Sequence, residues 1–216
     1  METKFLIKVA ILAAVVVPAG AAQASLTVSF FNGITNSNQS TSTAAGGPIS
    51  LSGADTTVDG RAVAGSALAD YGVAKATATA TGSAFGQVQS EARAMWGDSI
   101  TITTPGSSSG FFTARMAFEN QLGFGAGGFS FNTFDFQFIA TQNVAGDRYF
   151  YAYNLNTSFT SLLTSTLFIN NNGASSTTVS NSLPDGPVVV DFLIPFTSGQ
   201  AFTISSSLTC GARGNL

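Results

Sequence analysis

Strict two-residue alternation between positions 71 and 81 is the feature that most constrains this chain. Gly72, Ala74, Ala76, Ala78 and Ala80 fall on one parity; Tyr71, Val73, Lys75, Thr77, Thr79 and Thr81 fall on the other. Side chains of a strand alternate between two faces, whereas a helix repeats every ~3.6 residues, so this period predicts a β-strand. Alanine alone favours helix, but the interleaved β-branched threonines lose rotamer freedom there and fit a pleated surface. Ala84 to Trp96 continues in kind, with Ala84, Gly86, Val88, Ser90, Ala92, Ala94 and Trp96 on one face. Small residues along both segments let another layer approach closely, and the two are expected to pair as neighbours in one sheet.

The same period recurs along the chain. Ser25 to Phe31 puts Leu26, Val28 and Phe30 on one face, and Asn32 to Pro48 follows as a long polar loop. Asp55 to Ala69 is a weaker strand, and Asp98 to Thr103 alternates Ile100 and Ile102 with Ser99, Thr101 and Thr103. Strands follow around Phe112 to Phe118, Phe129 to Ala140, Arg148 to Leu155 and Thr160 to Ile169, the last closed by the turn Asn170 to Gly173. Val188 to Ile194 and Ala201 to Leu208 end the series, split by Pro195 and the Ser198-Gly199 turn. No segment carries a sustained helical stripe. Roughly ten strands with one polar face predict an all-β, antiparallel, jelly-roll-like β-sandwich, as a single domain over residues 25–216.

Residues 1–24 have a different character. Lys4 and Lys8 make a positive start, Val9 to Val17 an unbroken apolar run, and Pro18 and Gly20 break it. Ala22-Gln23-Ala24 is a small-x-small site, so a secretory signal peptide cut between Ala24 and Ser25 is expected. The apolar run is short against the ~20 residues that a membrane anchor needs. The mature chain is therefore expected outside the cytoplasm, secreted or on a bacterial cell surface, with no membrane span.

Composition then narrows the chemistry. Charged residues make up 9% of the 216 and the net charge is −3, so nothing basic is available to neutralise a phosphate backbone, and nucleic acid is not an expected partner. There is no histidine, which removes the commonest general base and transition-metal ligand. A Ser–Lys dyad would have to use Lys75, which lies in the alternating strand. Carboxylates for glycoside hydrolysis exist at Glu91, Asp98, Glu119 and Asp135, each read as an outward strand or turn residue. Gly123 to Gly128 has the glycines of a phosphate loop but no helix pattern after it. The expectation is no enzyme, no catalytic residue and no transition-metal site. Calcium is the one cofactor left open, through Asp55, Asp59 and Asp185 in Gly- and Asn-containing stretches. Cys210 has no partner for an internal disulfide and is read as a buried apolar side chain or a free thiol. Tyr149, Tyr151 and Tyr153 occupy alternate positions of one strand and are the candidate glycan-stacking face. An outer-membrane barrel would share the alternation, but several faces here carry Ala, Gly, Thr and Gln where a lipid-facing band is aliphatic and aromatic.

Two stretches carry a family likeness. Tyr71-Gly72-Val73 opens an Ala/Thr strand that leads to Ala92-Arg-Ala-Met-Trp96-Gly-Asp98-Ser-Ile100-Thr-Ile102. Val190-Asp-Phe-Leu-Ile-Pro195-Phe196-Thr-Ser-Gly199-Gln-Ala-Phe202 is an apolar-Pro-Phe-Thr-x-Gly-x-x-Phe strand pair. Over about residues 60–210 the chain resembles exported bacterial proteins of the PEP-CTERM class. That class ends with a Pro-Glu-Pro motif, a transmembrane helix and a basic tail, and the sequence stops at Leu216 without them. Two expectations follow: a C-terminally truncated chain, or a protein released rather than sorted to the envelope. The resemblance implies a β-sandwich exported to the surface or biofilm matrix, and no catalytic residue. The expected function is a non-enzymatic structural or adhesive domain of the matrix or envelope, with extracellular polysaccharide or other envelope proteins as partners. The alternative is a carbohydrate-binding module built on an aromatic strand face.

Overall fold

The computed structural model describes residues 6–11, 25–44, 47–82, 86–103, 106, 109–119, 130–142, 148–157, 163–171, 174–180 and 188–214. Among them are fourteen strands and no helix. The first seven are β1 (Leu6–Ile11), β2 (Ser25–Asn32), β3 (Ser37–Thr43), β4 (Ile49–Thr56), β5 (Ala62–Asp70), β6 (Val73–Thr81) and β7 (Val88–Thr101). The rest are β8 (Ser109–Glu119), β9 (Ser130–Gln142), β10 (Arg148–Thr157), β11 (Leu163–Asn171), β12 (Ala174–Ser180), β13 (Val188–Thr197) and β14 (Ala201–Gly214). Six form one antiparallel sheet in the order β13-β8-β1-β6-β5-β4, and eight form the other in the order β12-β11-β10-β9-β14-β7-β2-β3. The fold is thus the antiparallel β-sandwich that the alternation predicts.

The strands exceed the expected ten for physical reasons. Part of the expected loop after Asn32 is β3, whose Ser-Asn-Gln-Ser-Thr-Ser-Thr sequence is exposed or half-buried throughout. An edge strand that buries neither face leaves no hydrophobic period to read. The weak strand over Asp55 to Ala69 is really two strands, β4 and β5, joined by a turn at 57–61. Asp98 to Thr103 is largely the continuation of β7. Pro195 does not end its strand: it lies within β13, opposite Phe111. β13 is the edge of its sheet, and edge strands are where proline is tolerated. Within the expected leader, β1 pairs with β8 from Leu6 to Ile11 and meets β6 at Ile7 and Lys8.

The two alanine-rich segments are not neighbours in one sheet. β6 lies in the six-stranded sheet and β7 in the eight-stranded one, and they face each other across the core. The buried residues Ala67, Ala69, Ala74, Ala76 and Ala78 on one layer meet Ala92, Ala94, Cys210 and Ala212 on the other. Without bulky side chains between them, β6 brings Cα atoms within 8 Å of β7 and β14. Packed sheets ordinarily stand ~10 Å apart, so the layers are pinched together here.

Polar groups and glycines complete the pinch. Ser90, buried on β7, donates to Thr79 O at 2.8 Å and to Ala64 O at 3.3 Å on the opposing sheet. Cys210 donates from Sγ to Ala76 O at 3.4 Å. The one large ring in the region, Phe30, fits because Gly53 and Gly65 pair in register beneath it. A Cβ on either glycine would stand 2.5 Å from a ring carbon of Phe30. Where side chains are larger, Trp96, Ile102, Ile194, Phe196, Ile204 and Leu208 fill the rest of the same core.

Candidate functional site

The alternation that buries one face of the eight-stranded sheet turns a polar face outward. On β2, Leu26, Val28 and Phe30 are buried, so Thr27, Ser29 and Phe31 have the outer parity. Register carries this face across the sheet. One row runs Ser40, Ser29, Arg93 and Thr209; the next runs Asn38, Phe31, Glu91 and Gly211. Of these, Ser40, Asn38, Glu91 and Arg93 are exposed, and Ser29, Phe31, Thr209 and Gly211 are half-buried. The face is a field of hydroxyls and amides with few charges.

At one end of this face the chain builds a concavity. A cleft of about 250 Å³ is lined by Phe31, Gly33, Asn36, Gln87, Gln89 and Arg213, with Val88 at its base. The β2–β3 turn forms one wall. Asn32 organises that turn, its Oδ1 accepting from the amides of Ile34 at 2.9 Å and Thr35 at 3.2 Å. Asn36 adopts a left-handed φ of 51°, which asparagine tolerates better than most residues. The turn then closes onto β7 through Gly33, whose amide donates to Gln89 O at 3.0 Å. A Cβ at Gly33 would stand 2.3 Å from that oxygen, so only glycine permits the approach. The other wall is a cross-strand pair, Gln89 and Arg213, in which Arg213 Nη2 donates to Gln89 Oε1 at 2.9 Å.

The neighbouring β4–β5 turn braces this pole. Asn32 Nδ2 donates to Asp55 Oδ2 at 3.3 Å, tying the β2–β3 turn to the opposite sheet. Asp59 accepts from Arg61 Nε at 2.9 Å and from the hydroxyl of Thr57. These hydrogen bonds, Thr57 first and Arg61 next, hold the Asp59 carboxyl below its ordinary range. Two of the three aspartates considered for calcium are thus engaged within the fold: Asp55 with Asn32 and the Thr56 amide, Asp59 with Arg61. Asp185 lies outside the described residues. Among the described residues no three His, Cys, Asp or Glu side chains group as metal ligands.

The other expected positions are scattered. Tyr149, Tyr151 and Tyr153 stand on β10 opposite Ala140, Phe138 and Phe136 of β9, and their side chains lie outside the described part. Those register rows run on to Ile204, Ser206 and Leu208 of β14, which are buried. Glu91 and Asp98 sit seven positions apart on β7, on opposite parities and roughly 23 Å apart along the strand. Glu119 lies in the other sheet and Asp135 on β9. Lys75 is exposed on β6. Cys210 is a buried free thiol. Ala22 and Ala24 lie outside the described residues, and Ser25 is the first residue of β2.

The cleft itself escaped the sequence, because Gln89 and Arg213 are 124 positions apart and meet only through strand pairing. No protein-family model, curated protein or solved structure matches this chain. No helix among the described residues is long and apolar enough to cross a membrane.

Proposed function

We propose that the chain is an exported, non-enzymatic domain with a structural or adhesive role outside the cytoplasm, in the matrix or envelope of a bacterial cell. The observation that carries this is the outer face of the eight-stranded sheet. Its Ser, Thr and Asn side chains, spaced by the strand repeat with Arg93 and Glu91 among them, offer hydrogen-bonding groups to a polysaccharide or an envelope protein. The pinched alanine core behind it suits a rigid plate, since small interdigitating faces leave little room for the layers to slide.

Export is supported by the leader pattern of residues 1–24. β2 begins at Ser25 with Leu26 and Val28 fully buried, so a cut between Ala24 and Ser25 leaves that strand whole. The same cut removes β1 from between β8 and β6. The likeness to the PEP-CTERM class points to the same compartment. Fractionation of cells expressing the chain tests the proposal: the processed form is expected in the envelope, matrix or medium, adhering to matrix polysaccharide. Uncleaved protein confined to the cytoplasm sinks it.

A further inference from the structure

We propose that the cleft between the β2–β3 turn and the Gln89–Arg213 pair binds an acidic sugar, a uronic acid residue of an extracellular polysaccharide. This rests on the domain working outside the cell, and it uses a set of residues separate from the tyrosine row of β10.

The lining supplies each group that such a sugar needs. Arg213 is exposed and spends one N–H on Gln89. A guanidinium has five N–H donors in a planar fork, so a pair remains for a carboxylate. Among the described residues no carboxylate belongs to the lining, and Arg61 outside it is already paired with Asp59. Arg213 is therefore the cation that an entering anion meets. Exposed Asn36 and Gln87 present amides, each both donor and acceptor, as ring hydroxyls require. Phe31 is half-buried, leaving part of its ring as an apolar surface for the C–H face of a sugar.

Size and surroundings set the orientation. At about 250 Å³ the cleft is smaller than the ~300–1,000 Å³ of sites for drug-sized ligands, so it takes one ring and not a chain segment. The remaining sugars would lie along the polar rows that begin at Phe31. Exposed Glu91 pairs in register with Phe31 and Gly211, one row inward of the Gln89–Arg213 pair, and so disfavours a carboxylate on the inner row relative to the row of Arg213. The walls are already held by the Asn32 turn bonds and the Gly33–Gln89 bond, so little ordering cost falls on binding.

The test is an amide NMR titration of the exported chain with a galacturonic acid trimer and with the neutral galactose trimer. Expected are shifts at Gly33, Asn36 and Gln89 with the acidic trimer, and binding of it that is tighter than of the neutral one. Arg213→Gln is expected to weaken acidic binding roughly tenfold or more, the scale of a lost charge-assisted hydrogen bond. Phe31→Leu keeps the apolar volume, loses the aromatic face, and should weaken both trimers. Arg213→Gln alters an exposed residue and should melt like the parent, so it decides the matter even if Phe31→Leu unfolds. No shift at those residues, equal binding of both trimers, or unchanged binding by Arg213→Gln would overturn the site. A chain that adheres outside the cell as strongly after Arg213→Gln would fail the cleft and leave the adhesive role standing.

Discussion

The ring of Phe30 occupies the space that a side chain on Gly65 would need, with Cε2 only 2.5 Å from where a Cβ would stand. Phe30 belongs to the eight-stranded sheet and Gly65 to the six-stranded one, so the pair fixes how far apart the layers sit at the pinch. Gly65→Ala must push the ring or the sheet away, and Thr77 O, 3.0 Å from the same point, blocks escape sideways. Overpacking of this kind costs about 1–3 kcal/mol. Urea unfolding should show that loss, and Phe30→Leu combined with Gly65→Ala should recover part of it. An additive double mutant would mean that the contact is not what limits the approach.

Two buried serines should respond in opposite ways. Ser90 donates across the core to Thr79 O, whereas Ser206 Oγ has no hydrogen-bond partner among the described residues. Ser90→Ala gives up a satisfied bond and should cost about 1 kcal/mol. Ser206→Ala removes a desolvated hydroxyl that gains nothing and should be neutral or stabilising. Thermal melts of the two variants side by side check this; the reverse order would show that Ser206 has a partner and Ser90 does not need one.

How much of this was legible follows from what alternation encodes. Parity told which side of β6 and β7 is buried, because Ala74, Ala76, Ala92 and Ala94 are small and apolar on one side only. It did not tell that the two faces meet across the core. Alternation within a strand records burial, while the choice between lateral and face-to-face neighbours depends on partners elsewhere in the chain. β3 was invisible because an exposed edge buries neither face, and Pro195 misled because edge strands tolerate proline. The cleft was least legible: Phe31, Gln89 and Arg213 carry no local pattern, and only the ladders of β2, β7 and β14 bring them together. The stretch from Asn32 to Pro48 reads only as a polar loop, which does not name what its turn lines.

Ser25 should be the first residue of the exported chain. Intact mass and N-terminal sequencing of protein recovered outside the cell check this. If the cut falls there, β2 keeps Leu26, Val28 and Phe30 in the core. A cut several residues later would unseat Leu26 and Val28, and the shortened chain should then unfold at lower urea. Ala24→Leu should block processing, since the small-x-small pattern admits only small residues at that position.

Cys210 gives the sandwich an alkaline limit. Burial pushes its thiol well above the ordinary value of 9.0. The unfolded chain, in which the thiol is hydrated, loses that proton once pH passes 9, while the folded chain keeps it. Above this point the unfolded state binds fewer protons than the native state, so stability falls as pH rises. Below it the thiol is protonated in both states and contributes no slope. One such group contributes at most ~1.4 kcal/mol per pH unit. Urea unfolding in steps above pH 9 should therefore show a steeper decline for the parent than for Cys210→Ala, in which other alkaline titrations remain but this one is gone. The thiol should also resist alkylating reagents in the native state and react once urea opens the core, because its Sγ is held against Ala76 O between the layers. Parallel pH profiles for the two chains, or fast labelling of the native one, would place Cys210 at a surface rather than in the pinch.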